Sequence, residues 1–394
     1  MNQQPHKQHD RFGALSEACD LGDGPSRVVV KDCIDVAGMQ TVQGSAVLRD
    51  AAPAPRNAAT VAGILSDPRW RIIGKARMHE FAFGVTGINP ACGTPVNPGW
   101  PTRIPGGSSS GSAVAVAGGL ADVAIGTDTG GSVRMPAACC GVIGFKPTYG
   151  LVDRTGASPA VSSLDCIGVF ARDVAMVEAM MQAIAPGFVP QAEPSIQLGI
   201  LQVQAEEAVA APVRKALDTL GGGVQITLPS LQDAFVAGMT IIGRESWNAL
   251  KAHVDHPAMG EDVRLRVRAG GAVTDAQLAE AEAVRLRFAA EVDAALDRCD
   301  VLALPTLPVV PPLLADAGDA PALVPLTRLV RPFNLSGHPA ISLPLRAGHG
   351  LPVSLQLVGR RGEDAQLCAA ARNVVQRLEA AGLFAVASGL DREN

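Results

Sequence analysis

Apolar and polar positions along the chain follow two periods, and the switches between them predict its elements. Arg27 to Val30 reads as a strand whose β-branched residues give way to a turn over KDCIDVAG. Ala58 to Leu65 suits a short helix, and RIIG a buried strand that delivers Lys75 at its end. From Gly87 to Gly107 the chain holds too many prolines and glycines for regular structure and reads as an ordered loop. Ser110 to Leu120 predicts a buried helix, and Ala121 to Gly126 a strand ending in TDTGGS. CGVIGFKPTYG adds a strand and turn, and RDVAMVEAMMQAIA an amphipathic helix.

Beyond Pro190 the texture changes. SIQLGILQ reads as a strand, and most of Ala205 to Cys299 as successive helices, a candidate helical insertion. VLALPTLPVVPP, ISLPL and LPVSLQLVG resume strand character before a last helix over Glu363 to Ala380. Short strands alternating with helices predict an α/β layer architecture, with the sheet order open. No repeat of fixed period and no low-complexity linker interrupts the pattern, which favours one compact domain. The expected division is a lead-in tail over 1–26, a domain over 27–380 with the helical region at about 205–299, and a tail over 381–394.

Composition narrows the function. With 394 residues, 47% of them hydrophobic, the chain has ample material for a core. A net charge of -5 and the absence of any long basic tract speak against nucleic acid, RLRVR near Arg264 being a solvated helix face. The eight cysteines, at positions 19, 33, 92, 139, 140, 166, 299 and 368, form no CxxC pair and suit reduced core residues. MNQQPHKQHDRFG lacks the apolar core of a signal peptide, and no greasy run is long enough to span a membrane. A cytoplasmic protein is expected, with no membrane partner; His6 and His9 read as part of a polar tail rather than a metal tract.

Candidate chemistry concentrates between Gly106 and Pro136, where GGSSSGS and GTDTGGS bracket an apolar stretch. Glycines there bring main-chain N–H groups close to a ligand while serines supply oxygen, a combination that suits acyl transfer. Alone, GGSSSGS is more often a linker and GTDTGGS an ordinary loop or phosphate cradle. A linker is not followed by a helix-like apolar run, and GxxxxGK[ST] is absent. Ser109, Ser110 and Ser112 read as turn and helix-cap groups, and Arg134 suits either a substrate carboxylate or a structural ion pair. His79–Glu80 lacks the second histidine of a zinc helix, and His338 reads as a loop residue. Cys139 and Cys140 have no base beside them in sequence. Glu245, Trp247 and His253 mark the helical stretch where substrate or subunit contacts are sought.

These residues resemble the amidase signature family, serine hydrolases that cleave carboxamides with a serine, a second serine in a cis peptide and a lysine. The resemblance rests on GKARMHEFAFG, RIPGGSSSGSA and GTDTGGSVRMPAACCGVIGFKPTYG in order, and extends through RPFNLSGHPAISLP and LPVSLQLVG. The wording is most similar to compact members such as indole-3-acetamide hydrolases and malonamidases. It implies a single large α/β domain, a central mixed β-sheet covered by helices on both faces. It also implies that Ser132 is the nucleophile, Ser108 the bridging serine after a cis Gly107–Ser108 peptide, and Lys75 the base. The N–H groups of Thr129, Gly130, Gly131 and Ser132 are then the oxyanion hole, and Asp128 braces the loop.

The implied reaction is hydrolysis of a small carboxamide to carboxylate and ammonia through an acyl-serine, without metal or organic cofactor. An amidotransferase A-type subunit delivering ammonia to a partner is the alternative, and a non-catalytic amidase-like binding module a more distant one. A homodimer and a small accessory subunit both stay open.

Overall fold

In the computed structural model, which describes residues 10–193, 195–318 and 321–387, the apolar run at Val28 forms a strand buried on both faces. The first half of the chain supplies β1 (Leu15–Leu21), β2 (Ser26–Lys31), α1 (Ala59–Ser66), β3 (Trp70–Ala76), α2 (Ser110–Ala117) and β4 (Val123–Asp128). It continues with α3 (Arg134–Cys140), β5 (Ile143–Lys146), β6 (Cys166–Ala171) and α4 (Val174–Ile184). The second half supplies β7 (Leu198–Leu201), α5 (Glu207–Thr219), β8 (Val224–Ile226), α6 (Leu231–Leu250), α7 (Glu261–Gly271) and α8 (Asp275–Leu296). It ends with β9 (Val301–Pro305), α9 (Pro332–Leu335), β10 (Ala340–Leu345), β11 (Val353–Val358) and α10 (Asp364–Ala380).

The strands form one mixed sheet of 11 in the order β1-β3-β2-β4-β6-β5-β10-β11-β9-β7-β8. Strand β2 is parallel to β3 and β4, and β7 is parallel to β8 and β9. Side-chain alternation on β2 builds two cores at once: Val28 and Val30 face Val61 and Val177, while Val29 faces the alanines and valines of α2. Each of these valines is fully buried, worth about 1.5–3 kcal/mol apiece in area removed from water. A further core lies between α6, α8 and the β9 end of the sheet, where Ile241, Phe288 and Val292 meet Leu302 and Leu304.

Three expectations change. The segment expected as an N-terminal tail carries β1, which pairs antiparallel with β3 from Leu15 to Leu21, so its described part is an edge of the sheet. The stretch within the domain read as a candidate helical insertion holds α5 to α8 but also contributes β8 to that same sheet, with α5 against β9 and β11. The described part of the C-terminal segment also lies against the domain, Ala387 N–H donating to the Gly141 carbonyl at 2.8 Å. His6 and His9 lie outside the described residues. Among the described residues, no helix is long and apolar enough to cross a membrane.

Candidate active site

Parallel strands β2 and β4 run side by side and end on the same edge of the sheet, where open α/β sheets place ligands. Strand β2 ends in Lys31, and β4 ends in Thr127 and Asp128 before the second glycine-serine turn. The first turn sits at the start of α2. Ser109 Oγ donates to the Thr127 carbonyl at 3.2 Å and Ser112 Oγ to that of Ile125 at 3.0 Å. These serines therefore pin α2 onto β4; Ser109, at the helix N-cap, makes no side-chain cap bond. The turns meet where Ser109 N–H donates to the Ser132 carbonyl at 3.3 Å. The Gly107–Ser108 peptide is cis.

The lysine on Ser108 is Lys31, not Lys75. Lys31 Nζ lies 2.8 Å from Ser108 Oγ and 2.7 Å from Thr127 Oγ1. It is fully buried, and burial pushes its amine below the ordinary 10.5 against the opposing pull of Cys33, Asp165 and Asp128. Lys75 is equally buried but points elsewhere: Nζ pairs with Asp32 at 3.1 Å and donates to the Gln40 carbonyl at 2.6 Å and Thr41 Oγ1 at 2.9 Å. Sheet register explains the difference. Lys75 stands across from Val30 and Lys31 across from Ala76, so the two lysines leave opposite faces, and Asp32, two residues past Val30, falls on the side of Lys75. Three acceptors around Lys75, one of them a carboxylate, suit a structural ion pair. Two hydroxyls around Lys31 suit an amine that exchanges a proton.

Asp128 braces the second turn. Its Oδ1 accepts from Gly131 N–H at 2.7 Å, and its Oδ2 from Val133 and Arg134 N–H at 3.2 and 3.3 Å. Burial raises the Asp128 carboxyl, but Arg134, with Lys146 and Asn334, outweighs it and holds the group well below the usual range. The Gly131 N–H is therefore spent. Among the described residues the N–H groups of Thr129, Gly130 and Ser132 make no other hydrogen bond, which leaves three of the four expected oxyanion donors available. The same three residues line a cavity of about 390 Å³, and Gly131 does not.

Arg134 does not face that cavity. It is fully buried, pairs with Asp128 at 3.0 Å, and donates to the Val330 carbonyl, Gln356 Oε1 and Asn334 Oδ1. Its donors are consumed by structure, so the substrate-binding option is set aside. Cys139 and Cys140 are buried thiols that burial pushes up, far from thiolate character. Glu245 accepts from Ser162 Oγ and Ser163 N–H, and His253 stacks on Phe81. Neither lines the cavity beside Ser132, to which α6 contributes Met239, Thr240, Ile242 and Gly243 instead. Among the described residues, no group of three or more His, Cys, Asp or Glu is placed to hold a metal.

Gly131 adopts φ +110°, and a Cβ there would stand 2.3 Å from Val330 Cγ2. We expect Gly131→Ala to cost about 1–3 kcal/mol of stability and to displace the Ser132 turn. Calorimetric Tm and turnover measured together check this; a variant with unchanged values of both would show that the loop tolerates the side chain.

Comparison with known proteins shows the family. The family model described as Amidase matches residues 27–232 and 225–368, and the chain belongs to the amidase family. It is 36% identical over 394 residues to the A-type subunit of glutamyl-tRNA(Gln) amidotransferase from Haloarcula marismortui, covering 86% of this chain and 92% of that one. The crystal structure of the corresponding A-type subunit from Thermotoga maritima superposes with a TM-score of 0.81 at 29% identity, over 97% of this chain and 91% of that one. A chain from a vestigial complex bearing on the origins of an s-triazine catabolic enzyme superposes at 0.84 with 26% identity, over 93% and 86%. The Haloarcula and Thermotoga proteins carry an amidotransferase name rather than that of the compact members singled out from the sequence.

Proposed function

We propose that the chain releases ammonia from a carboxamide through an acyl-Ser132 intermediate. Ser132 Oγ attacks the amide carbon, its proton passes to Ser108 Oγ, and the Ser108 proton passes to the neutral Lys31 amine. Main-chain N–H groups of Thr129, Gly130 and Ser132 hold the oxyanion. The proton returns along the same path to the leaving nitrogen, ammonia departs, and water attacks the acyl-serine to regenerate the hydroxyl. The observation that carries this reading is the 2.8 Å contact of a fully buried Lys31 with Ser108, because only a depressed lysine serves as a base near neutrality. Ser132 makes no side-chain hydrogen bond among the described residues, so its hydroxyl is free to rotate toward Ser108.

The ammonia has two fates to distinguish. Delivery to a partner protein is supported by the name of the relative at 36% identity over most of both chains. Direct hydrolysis of a small amide is supported by the cavity, whose lining among the described residues holds no Asp or Glu to meet the ammonium of an amino-acid donor such as glutamine. Ammonia release by the purified chain, without partner or ATP, across glutamine and a panel of aliphatic, aryl and ureido amides tests the choice. We expect release from the chain alone. Release that begins only when partner proteins are added supports the amidotransferase fate, and none under either condition removes the enzymatic reading.

A further inference from the structure

Among the described residues two arginines are buried, Arg134 and Arg331, and only the first, like the half-buried Arg154 and Arg266, has a carboxylate partner. Arg134 pairs with Asp128 at 3.0 Å, Arg154 with Asp165 at 2.7 Å, and Arg266 with Asp262 at 2.6 Å. Arg331, at the N-cap of α9, is only 8% exposed, yet its side chain has no hydrogen bond or ion pair among the described residues, and its Nε is buried without a partner. The guanidinium lies over the Phe235 ring at 5.3 Å, which compensates a cation only in part. A buried charge left unpaired is costly enough that its partner is expected to arrive from outside.

Its surroundings point to where that partner sits. Arg331 lines the cavity that Ser132 also lines. Its Nε is 3.2 Å from where a Gly130 Cβ would stand, directly against the oxyanion turn. On the other side, a Cβ on Gly238 would come within 3.0 Å of Arg331 Cγ. Glycine weakens a helix interior, and at Gly238 it opens the groove in which the arginine lies. The main chain fixes the base of the side chain, Arg331 N–H donating to the Thr327 carbonyl at 2.9 Å. Among the described residues the other charged group on the cavity wall is Arg266, already paired with Asp262, and no acidic residue joins the lining. Burial, and then the neighbouring Arg266, push Arg331 down to about 10, which leaves it charged at neutral pH.

We propose that Arg331 is the substrate-selecting residue of this site, taking the carboxylate of an amide that carries one while the carboxamide end meets Ser132. The planar fork of a guanidinium holds a carboxylate through two parallel N–H bonds, a geometry that a lysine does not reproduce. The apolar remainder of the wall, including Phe83, Val85, Ile242 and Val324, then covers the chain between the two ends. This inference rests on the amide-cleaving reading above and names its substrate class.

The test compares succinamate and glutaramate with the corresponding neutral diamides, in wild type, Arg331→Met and Arg331→Lys. In wild type kcat/KM favours the acid. In Arg331→Met that preference falls about a hundredfold, chiefly through KM, as is typical when a site built for a polar group loses its partner. Arg331→Lys recovers part of it. Equal loss on acid and diamide in Arg331→Met, or a wild type that prefers the diamide, overturns the proposal in favour of a structural cation over Phe235. Calorimetric binding of succinate to Ser132→Ala, with and without Arg331→Met, separates the two readings. Binding to Ser132→Ala that depends on Arg331, together with a wild type that turns over no amide, keeps the anion site and removes the reaction. Turnover with no such binding keeps the reaction and removes the site.

Discussion

Replacing Lys31 by alanine lowers ammonia release about a thousandfold, within the range of about 10² to 10⁴ that a positioned proton acceptor contributes. Among the described residues the amine is the one lysine group in contact with Ser108, and its neighbours there are hydroxyls. Wild-type activity should also fall in acid. Burial lowers Lys31 from its ordinary 10.5, the neutral amine is the active form, and each pH unit below the lowered value costs about tenfold in rate. Stability follows the same sign. The folded chain binds fewer protons than the unfolded one between the two values, so this contribution is complete above 10.5 and is lost as pH falls toward the folded value.

Lys75 gives the contrasting result. Lys75→Met strands the buried Asp32 carboxylate and should cost about 3–5 kcal/mol of stability, while the molecules that remain folded keep their turnover. Active-site-normalised rates and Tm for both variants decide the assignment. Turnover surviving in Lys31→Ala, or lost in Lys75→Met at unchanged Tm, would return the base to position 75.

The local structure of the candidate site was legible in the sequence. Both glycine-serine turns, the strand ending in TDTGGS and the helix after GGSSSGS lie where their patterns place them, because turn chemistry and apolar period are properties of neighbours. The lysine was not legible. The apolar run stops at Val30, and the charged Lys31 and Asp32 after it have the character of a turn. The strand runs one residue further because Ser108, 77 positions away, and Thr127, 96 away, accept the buried amine. Which of two lysines faces the serines depends on the register of β2 against β3, a long-range property. Arg134 stayed open between two roles for the same reason: its other partners come from Val330, Asn334 and Gln356. Strand β6, buried along its whole length between β4 and β5, lacked the alternation that marks a half-exposed strand. The Gly131 N–H is equivalent to its neighbours in sequence, and only the fold shows Asp128 claiming it.

Ser132→Ala should abolish turnover, with a loss of about 10⁴-fold or more, since removing a nucleophile leaves only binding and oxyanion contacts to act. At 1.36 kcal/mol per tenfold, that is at least about 5 kcal/mol of barrier. The fold should not suffer. Ser132 lines the cavity, its hydroxyl holds nothing together among the described residues, and the turn is kept in place by Asp128 through main-chain bonds that an alanine leaves intact. A fluorophosphonate that labels wild type should therefore fail on Ser132→Ala while Tm stays within a degree or two. Ser108→Ala separates the nucleophile from the relay. It keeps the Ser132 hydroxyl but cuts its path to Lys31, so labelling should slow strongly without disappearing, and amide turnover should fall further than labelling because the leaving nitrogen also needs its proton returned. Equal labelling of wild type and Ser132→Ala would move the nucleophile to another serine, and Ser108, the one already in contact with the buried amine, would be first in line.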